Sequence, residues 1–204
     1  DRSVSRGLGD VYKRQSVNLV KGQKISLSKE VNGLEKVVVG LGWDAAKKGL
    51  FGRTPNIDCD ASAIILNNED KYMDVIYYGS RRSSDGRILH HGDNLTGDGD
   101  GDDEQITVDL KNMSTNVGKI VFVVNIYACN DRKQDFGMIK NAFIRIVDQS
   151  SKNEICRYNL SDNYDGKTAM IFGELYKKNN DWKFNAIGTG TTDKSISELT
   201  ENYR

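Results

Sequence analysis

The chain has 204 residues, with 29 Lys+Arg against 29 Asp+Glu and a formal net charge of zero. That balance argues against a nucleic-acid binder, which carries a basic excess or patch, and no apolar run approaches the roughly 18 residues of a membrane-spanning helix. Cys59, Cys129 and Cys156 are widely spaced with no CxxC pair, which disfavours a zinc ribbon or dithiol redox site and fits buried thiols in a reducing cytoplasm.

Residues 1–15 (DRSVSRGLGDVYKRQ) lack periodicity and resemble a translated sequencing-adapter peptide, so a non-native or disordered leader is expected there. A genuine flexible basic arm is the alternative. One domain is expected over residues 16–204.

Ile25-Ser26-Leu27 is brief enough for an edge strand. Val37 to Trp43 is β-branched and predicts a buried strand ending at Asp44. Residues 45–56, with Gly49, Gly52 and the only proline, Pro55, read as a loop. Strands are predicted over Ile57 to Leu66 and Val75 to Tyr78, with turns at Asn67–Asp70 and Ser83–Gly86. Ile106, Val108 and Leu110 alternate with Thr107 and Asp109, a clear period of two. Ile120 to Tyr127 is almost wholly apolar, which predicts a central strand covered on both faces. Residues 131–140 have room for one or two helical turns. Further strands follow at Ala142–Val147, Ile155–Leu160, Thr168–Tyr176 and Trp182–Ile187, with a hairpin turn at Asn179-Asn180-Asp181. Only Ser195 to Tyr203 reads as helical. Roughly nine or ten short strands with frequent turns predict an all-β domain, a two-sheet sandwich or a barrel.

The stretch from Gly92 to Glu104 holds the carboxylates Asp93, Asp98, Asp100, Asp102, Asp103 and Glu104 and no basic residue. Such a loop repels itself unless a hard cation is coordinated, and calcium accepts irregular sets of roughly 6–8 oxygens. The alternating glycines Gly97, Gly99 and Gly101 allow the sharp turns that convergence needs. A solvated acidic turn is the plain alternative. Asp58 and Asp60 form a second cluster: on a strand they share one face, while Cys59 between them points into the core. An EF-hand does not fit, because with Asp98 at position 1 the glycine position holds Asp103 and the final position holds Asp109. His90 and His91 face opposite sides of a strand and cannot easily share a metal. No nucleophile elbow, Walker A or HExxH motif is present, so enzyme chemistry has little support.

Several segments together resemble the TerD family of tellurium-resistance and stress proteins. They are Ser16-Val17-Asn18-Leu19-Val20-Lys21-Gly22, Val39-Gly40-Leu41-Gly42-Trp43-Asp44, Asp58-Cys59-Asp60-Ala61-Ser62, Gly92 to Gly97 followed by Gly99 to Glu104, Gln134-Asp135-Phe136-Gly137, Asn141 to Arg145 and Phe172 to Tyr176. The likeness covers about residues 16–203. The insertion at 47–56 and the ending Leu199 to Tyr203 look most like the TerZ branch.

The resemblance implies an antiparallel β-sandwich with calcium-binding edge loops and short helices, including one at the C-terminus. It implies a cytoplasmic role in tellurite resistance and stress response, without catalysis, alongside other Ter-family proteins near the inner face of the membrane. Carried over by position, the metal ligands would be Asp58, Asp60, Asp93, Asn94, Asp100, Asp102, Asp103 and Glu104, with Asp44, Asp98 and Asn141 as further candidates. The carboxylate count suggests two Ca2+ ions. A calcium-dependent module for anionic lipid is the alternative reading.

Overall fold

The computed structural model describes residues 15–45, 57–93 and 101–204. The expected leader, apart from Gln15, and the expected loop at 45–56, apart from Ala45, lie outside the described residues. So does the centre of the acidic stretch.

Among the described residues, twelve strands form two six-stranded sheets. The first contains β1 (Val17–Leu19), β3 (Lys36–Ala45), β6 (Ile88–Asp93), β7 (Glu104–Asp109), β9 (Ile139–Asp148) and β10 (Glu154–Asn159), in the order β1-β10-β9-β3-β7-β6. The second contains β2 (Lys24–Ser26), β4 (Cys59–Asn67), β5 (Tyr72–Ile76), β8 (Val117–Ile126), β11 (Ala169–Lys178) and β12 (Asp181–Thr191), in the order β2-β12-β11-β8-β4-β5. The expected all-β two-sheet sandwich is therefore what forms, with more strands than periodicity alone predicts. The three-residue β1 is too short to show a period. Neighbouring strands pair antiparallel except β1, which lies parallel to β10.

The alternation in β7 resolves as predicted: Ile106 and Val108 are buried between the sheets, and Gln105 and Thr107 face outward. β8 is covered on both faces. Ile120, Phe122, Val124 and Ile126 enter the main core. Val121 and Val123 enter a second cluster with Ile64, Leu66, Ala169 and Leu199. Leu199 belongs to helix α3 (Ile196–Glu201), which together with the shorter α1 (Leu27–Glu30) and α2 (Cys129–Arg132) makes up the α-helix of the described residues. The Ser195 hydroxyl caps α3 by accepting from the Glu198 amide at 3.2 Å. α2 and a 3-10 turn at Phe136–Met138 fill the region expected to hold one or two helical turns. The β11–β12 hairpin turns on Asn179 and Asn180, both at positive φ, with Lys178 paired to Asp181. Two left-handed residues in a two-residue loop match the strand twist, and asparagine tolerates that geometry.

Away from the acidic stretch, Asp148 pins the β9–β10 turn. Its carboxylate accepts from the Ser150 amide at 3.0 Å and from the hydroxyls of Ser150 and Ser151 at 2.9 and 2.6 Å. Burial alone would raise its pKa, but these donors outweigh it and hold the carboxyl below its usual range. The folded pKa is thus below the unfolded one, so the contribution is complete above the unfolded pKa and disappears as pH falls through the folded value. Asp148→Asn is expected to lower the urea midpoint at pH 7 and to reduce the difference between pH 7 and pH 3. An unchanged pH dependence in the variant would refute the assignment.

Candidate metal centre

The C-terminal end of β3 meets the beginnings of β7 and β9 at one end of the first sheet, where Asp44 pairs in register with Lys140 after an irregularity at Gly42. The Asp103 amide donates to the Leu41 carbonyl at 2.8 Å, and the Asp103 Oδ2 accepts from the Trp43 amide at 2.7 Å. These bonds turn the Asp103 side chain towards Asp44. Asn141 is left-handed, with φ 52°, and its Nδ2 donates to Asp44 Oδ2 at 2.8 Å. Asp44, Asp103 and Asn141, with Gly101, Trp43, Phe143 and Arg157, line a cleft of about 360 Å³. Burial pushes the Asp103 carboxyl above its usual range. The Trp43 amide opposes that shift, while the charges of Asp44, Glu104 and Asp102 add to it.

The two acidic clusters occupy the same end of the sandwich. Cys59 is buried, as expected from its position between Asp58 and Asp60. Its thiol pKa is raised, first by burial and then by the charges of Asp60, Asp58, Glu104 and Asp103, so both clusters act on one atom. Asp58 is exposed and forms an ion pair with Arg132 at 3.5 Å.

Two further candidate ligands are held firmly by other protein groups. Asp102 is clamped by Arg145, with Nε to Oδ1 at 2.7 Å and Nη2 to Oδ2 at 3.1 Å, and it also accepts from Gln105 at 2.9 Å. It lies directly over Gly40, where a Cβ would overlap its carboxylate. Glu104 turns inward and bridges the two sheets: its Oε2 accepts from the Ala61 amide of β4 at 2.9 Å and meets His90 Nε2 at 3.0 Å. Because His90 Nδ1 accepts from the Gly92 amide at 2.9 Å, the ring proton belongs on Nε2. The two histidines do face opposite sides: His90 is buried, and His91 meets the Thr107 hydroxyl at 2.7 Å. Asp93 ends β6 opposite Glu104 in the ladder. Asn94, Asp98 and Asp100 lie outside the described residues.

Arg145 was not recognisable as part of this end from sequence, since a charged residue on a strand usually faces water. The available signals were its place in the Asn141 to Arg145 motif and the glycine pair Gly40 and Gly42 inside a strand pattern, which marks close approach of other groups. Among the described residues, no three Asp, Glu, His or Cys side chains gather closely enough to hold a metal by themselves. The groups that converge are two carboxylates and one side-chain amide, whose Nδ2 faces Asp44 Oδ2. This hard set suits calcium better than a metal preferring nitrogen or sulfur.

This combination defines a two-sheet sandwich with an oxygen-rich cleft at one end. The TerD domain matches residues 15–203, so the chain belongs to the TerD family. It is 51% identical over 198 residues to the stress response protein SCP2 of Bacillus subtilis (strain 168), covering 92% of this chain and 99% of that protein. It is 40% identical over 188 residues to the tellurium resistance protein TerZ of Serratia marcescens, covering 90% and 94%. The TerZ branch is thus one of several with clear similarity. The crystal structure of SCO6318 from Streptomyces coelicolor A3(2), described as a homologue of telluride resistance protein (TerD), superposes with a TM-score of 0.63 at 22% identity, covering 84% of this chain and 99% of that one. At that identity the likeness establishes the fold. Among the described residues, no helix is long and apolar enough to cross a membrane.

Proposed function

We propose that this chain is a calcium-binding module of the tellurium-resistance and stress-response type, acting in the cytoplasm by binding rather than catalysis, alongside other Ter-family proteins. The functional side of this reading rests on the names of its relatives, stress response and tellurium resistance. The calcium side rests on one observation: Asp44, Asp103 and Asn141 converge on one cleft, where Asp103 is held against its preferred ionisation by burial and neighbouring charge. In this reading a bound divalent cation neutralises the clustered carboxylates. Asp44, Asp103 and Asn141 contribute from the cleft, Asp93, Asn94, Asp98 and Asp100 from the rest of the acidic stretch, and Asp58 from just before β4 with Asp60 from within it. Asp102 and Glu104, though candidates as ligands, serve first to hold that stretch against Arg145 and β4. The carboxylate count is enough for two ions.

Calorimetric titration with calcium, with magnesium as competitor, tests the proposal and counts the ions. A ligand that binds only the folded state stabilises it by about 2.7 kcal/mol at a hundred times its Kd. For a domain of this size that is roughly 5–11 °C in Tm. Asp103→Asn is expected to remove most of that shift while leaving the melt in chelator nearly unchanged or slightly higher, because a repelled carboxylate is lost. The same Tm in millimolar calcium and in chelator would overturn the proposal.

A further inference from the structure

The cleft is lined by groups of both charges: Asp44 and Asp103, with Asn141, and Arg157. Arg157 stacks at 3.6 Å from the centroid of the Phe143 ring, and its Nε donates to Asn159 Oδ1 at 2.9 Å. Phe143 in turn packs against Gly42, where a Cβ would overlap the ring. Gly42, Phe143 and Arg157 form a stack that fixes the guanidinium in place before any ligand arrives. A held guanidinium loses little entropy on binding, and its planar fork matches the oxygens of phosphate and carboxylate. The nearest Glu154 oxygen is 3.9 Å from Arg157 Nη1, too far for a close ion pair that would satisfy the fork.

We propose that this cleft takes a phosphate-type oxyanion jointly with the cation, one anion oxygen on the metal and others on Arg157. This rests on the calcium reading above. Calcium takes roughly 6–8 oxygens, so an anion held in the cleft would share the ion with Asp44, Asp103 and Asn141. The cleft is also far larger than one ion requires. Without the cation, Asp44 and Asp103 repel an anion, so binding of the two is coupled: the oxyanion binds only when the cation is present. A phosphate monoester in solution and a lipid headgroup present the same chemistry.

The test is calorimetric titration of methyl phosphate into the full chain, in saturating calcium and in chelator. The expected result is binding in calcium alone. Arg157→Gln is expected to weaken it at least tenfold, and Arg157→Lys by less, since the charge remains without the fork. Calcium affinity of Arg157→Gln should be unchanged or tighter, because a nearby positive charge has gone, and its melt in chelator shows whether the variant folds. If calcium binds the wild type normally and methyl phosphate does not, or if methyl phosphate binds equally without calcium or in Arg157→Gln, this proposal is overturned and the calcium reading stands. If calcium itself does not bind, both are overturned. Co-sedimentation with phosphatidylserine vesicles separates the sources. Calcium-dependent sedimentation lost in Arg157→Gln indicates a headgroup, whereas methyl phosphate binding without sedimentation indicates a soluble ester.

Discussion

Arg145→Ala is expected to destabilise the chain by about 3 kcal/mol in chelator, the lower end for breaking a buried ion pair. For a domain of this length that is a fall of roughly 6–12 °C in Tm. The Asp102 side chain is 1% exposed and that of Arg145 is 26% exposed, so the variant strands a buried carboxylate while giving up a partly solvated cation. Gln105 still donates to Asp102, which limits the loss. The variant also separates positioning from charge. Removing a positive charge near the cleft should, by Coulomb attraction alone, strengthen calcium binding. Removing the clamp frees the segment from Gly101 to Asp103 and should weaken it. The expected outcome is weaker calcium binding than wild type, with Arg145→Lys intermediate because it retains charge without the bidentate geometry. Urea unfolding in chelator and calcium titration of the three proteins measure both effects. Stability and calcium affinity equal to wild type would eliminate the clamp as a positioning device.

Leu199→Ala is expected to cost about 2–5 kcal/mol, the range for truncating a fully buried leucine. Leu199 of α3 is completely buried against Ile64, Leu66, Val121 and Val123 on the outer face of the second sheet. Without it those strands expose apolar surface between Ile196 and Tyr203, the partly buried residues that flank it. The cleft lies on the outer side of the first sheet, so calcium affinity should be unchanged in this variant. Thermal melts with and without calcium give the comparison: the midpoint falls in both, and the increment from calcium is preserved. A loss of that increment would mean that the two sheets are coupled more tightly than their packing indicates.

The contrast between these variants reflects what was legible beforehand. The alternation of Ile106 and Val108 and the apolar run through Phe122 marked core strands because side-chain direction on a strand has a strict period of two. The double-sided burial of β8 was readable for the same reason, but its cover, α3, was visible only as a weak helical pattern. Asp58 and Asp60 read as one face of a strand, but β4 begins only at Cys59 and Asp58 lies just before it; Cys59 was legible as the inward residue between them. The acidic stretch was legible as a charge problem requiring a counter-charge.

Which counter-charge each acid received was not legible. Asp102, Asp103 and Glu104 are consecutive, and composition treats them alike. The pleat of β7 and its approach separate them: Asp102 goes to Arg145 over Gly40, Asp103 to the cleft beside Asp44, and Glu104 inward to Ala61 and His90. Arg145 is 43 residues from Asp102, and Asn141 is 97 from Asp44, so no local pattern links the members of either pair. The sequence by itself determined the fold class, the family motifs and the oxygen-rich chemistry of one end, because those follow from side-chain period and residue type. Only the tertiary structure decided which carboxylates face the cleft, which are neutralised by the protein, and that Arg157 lines the same cleft. Those outcomes depend on strand order and register, set by packing the two sheets together rather than by any one segment.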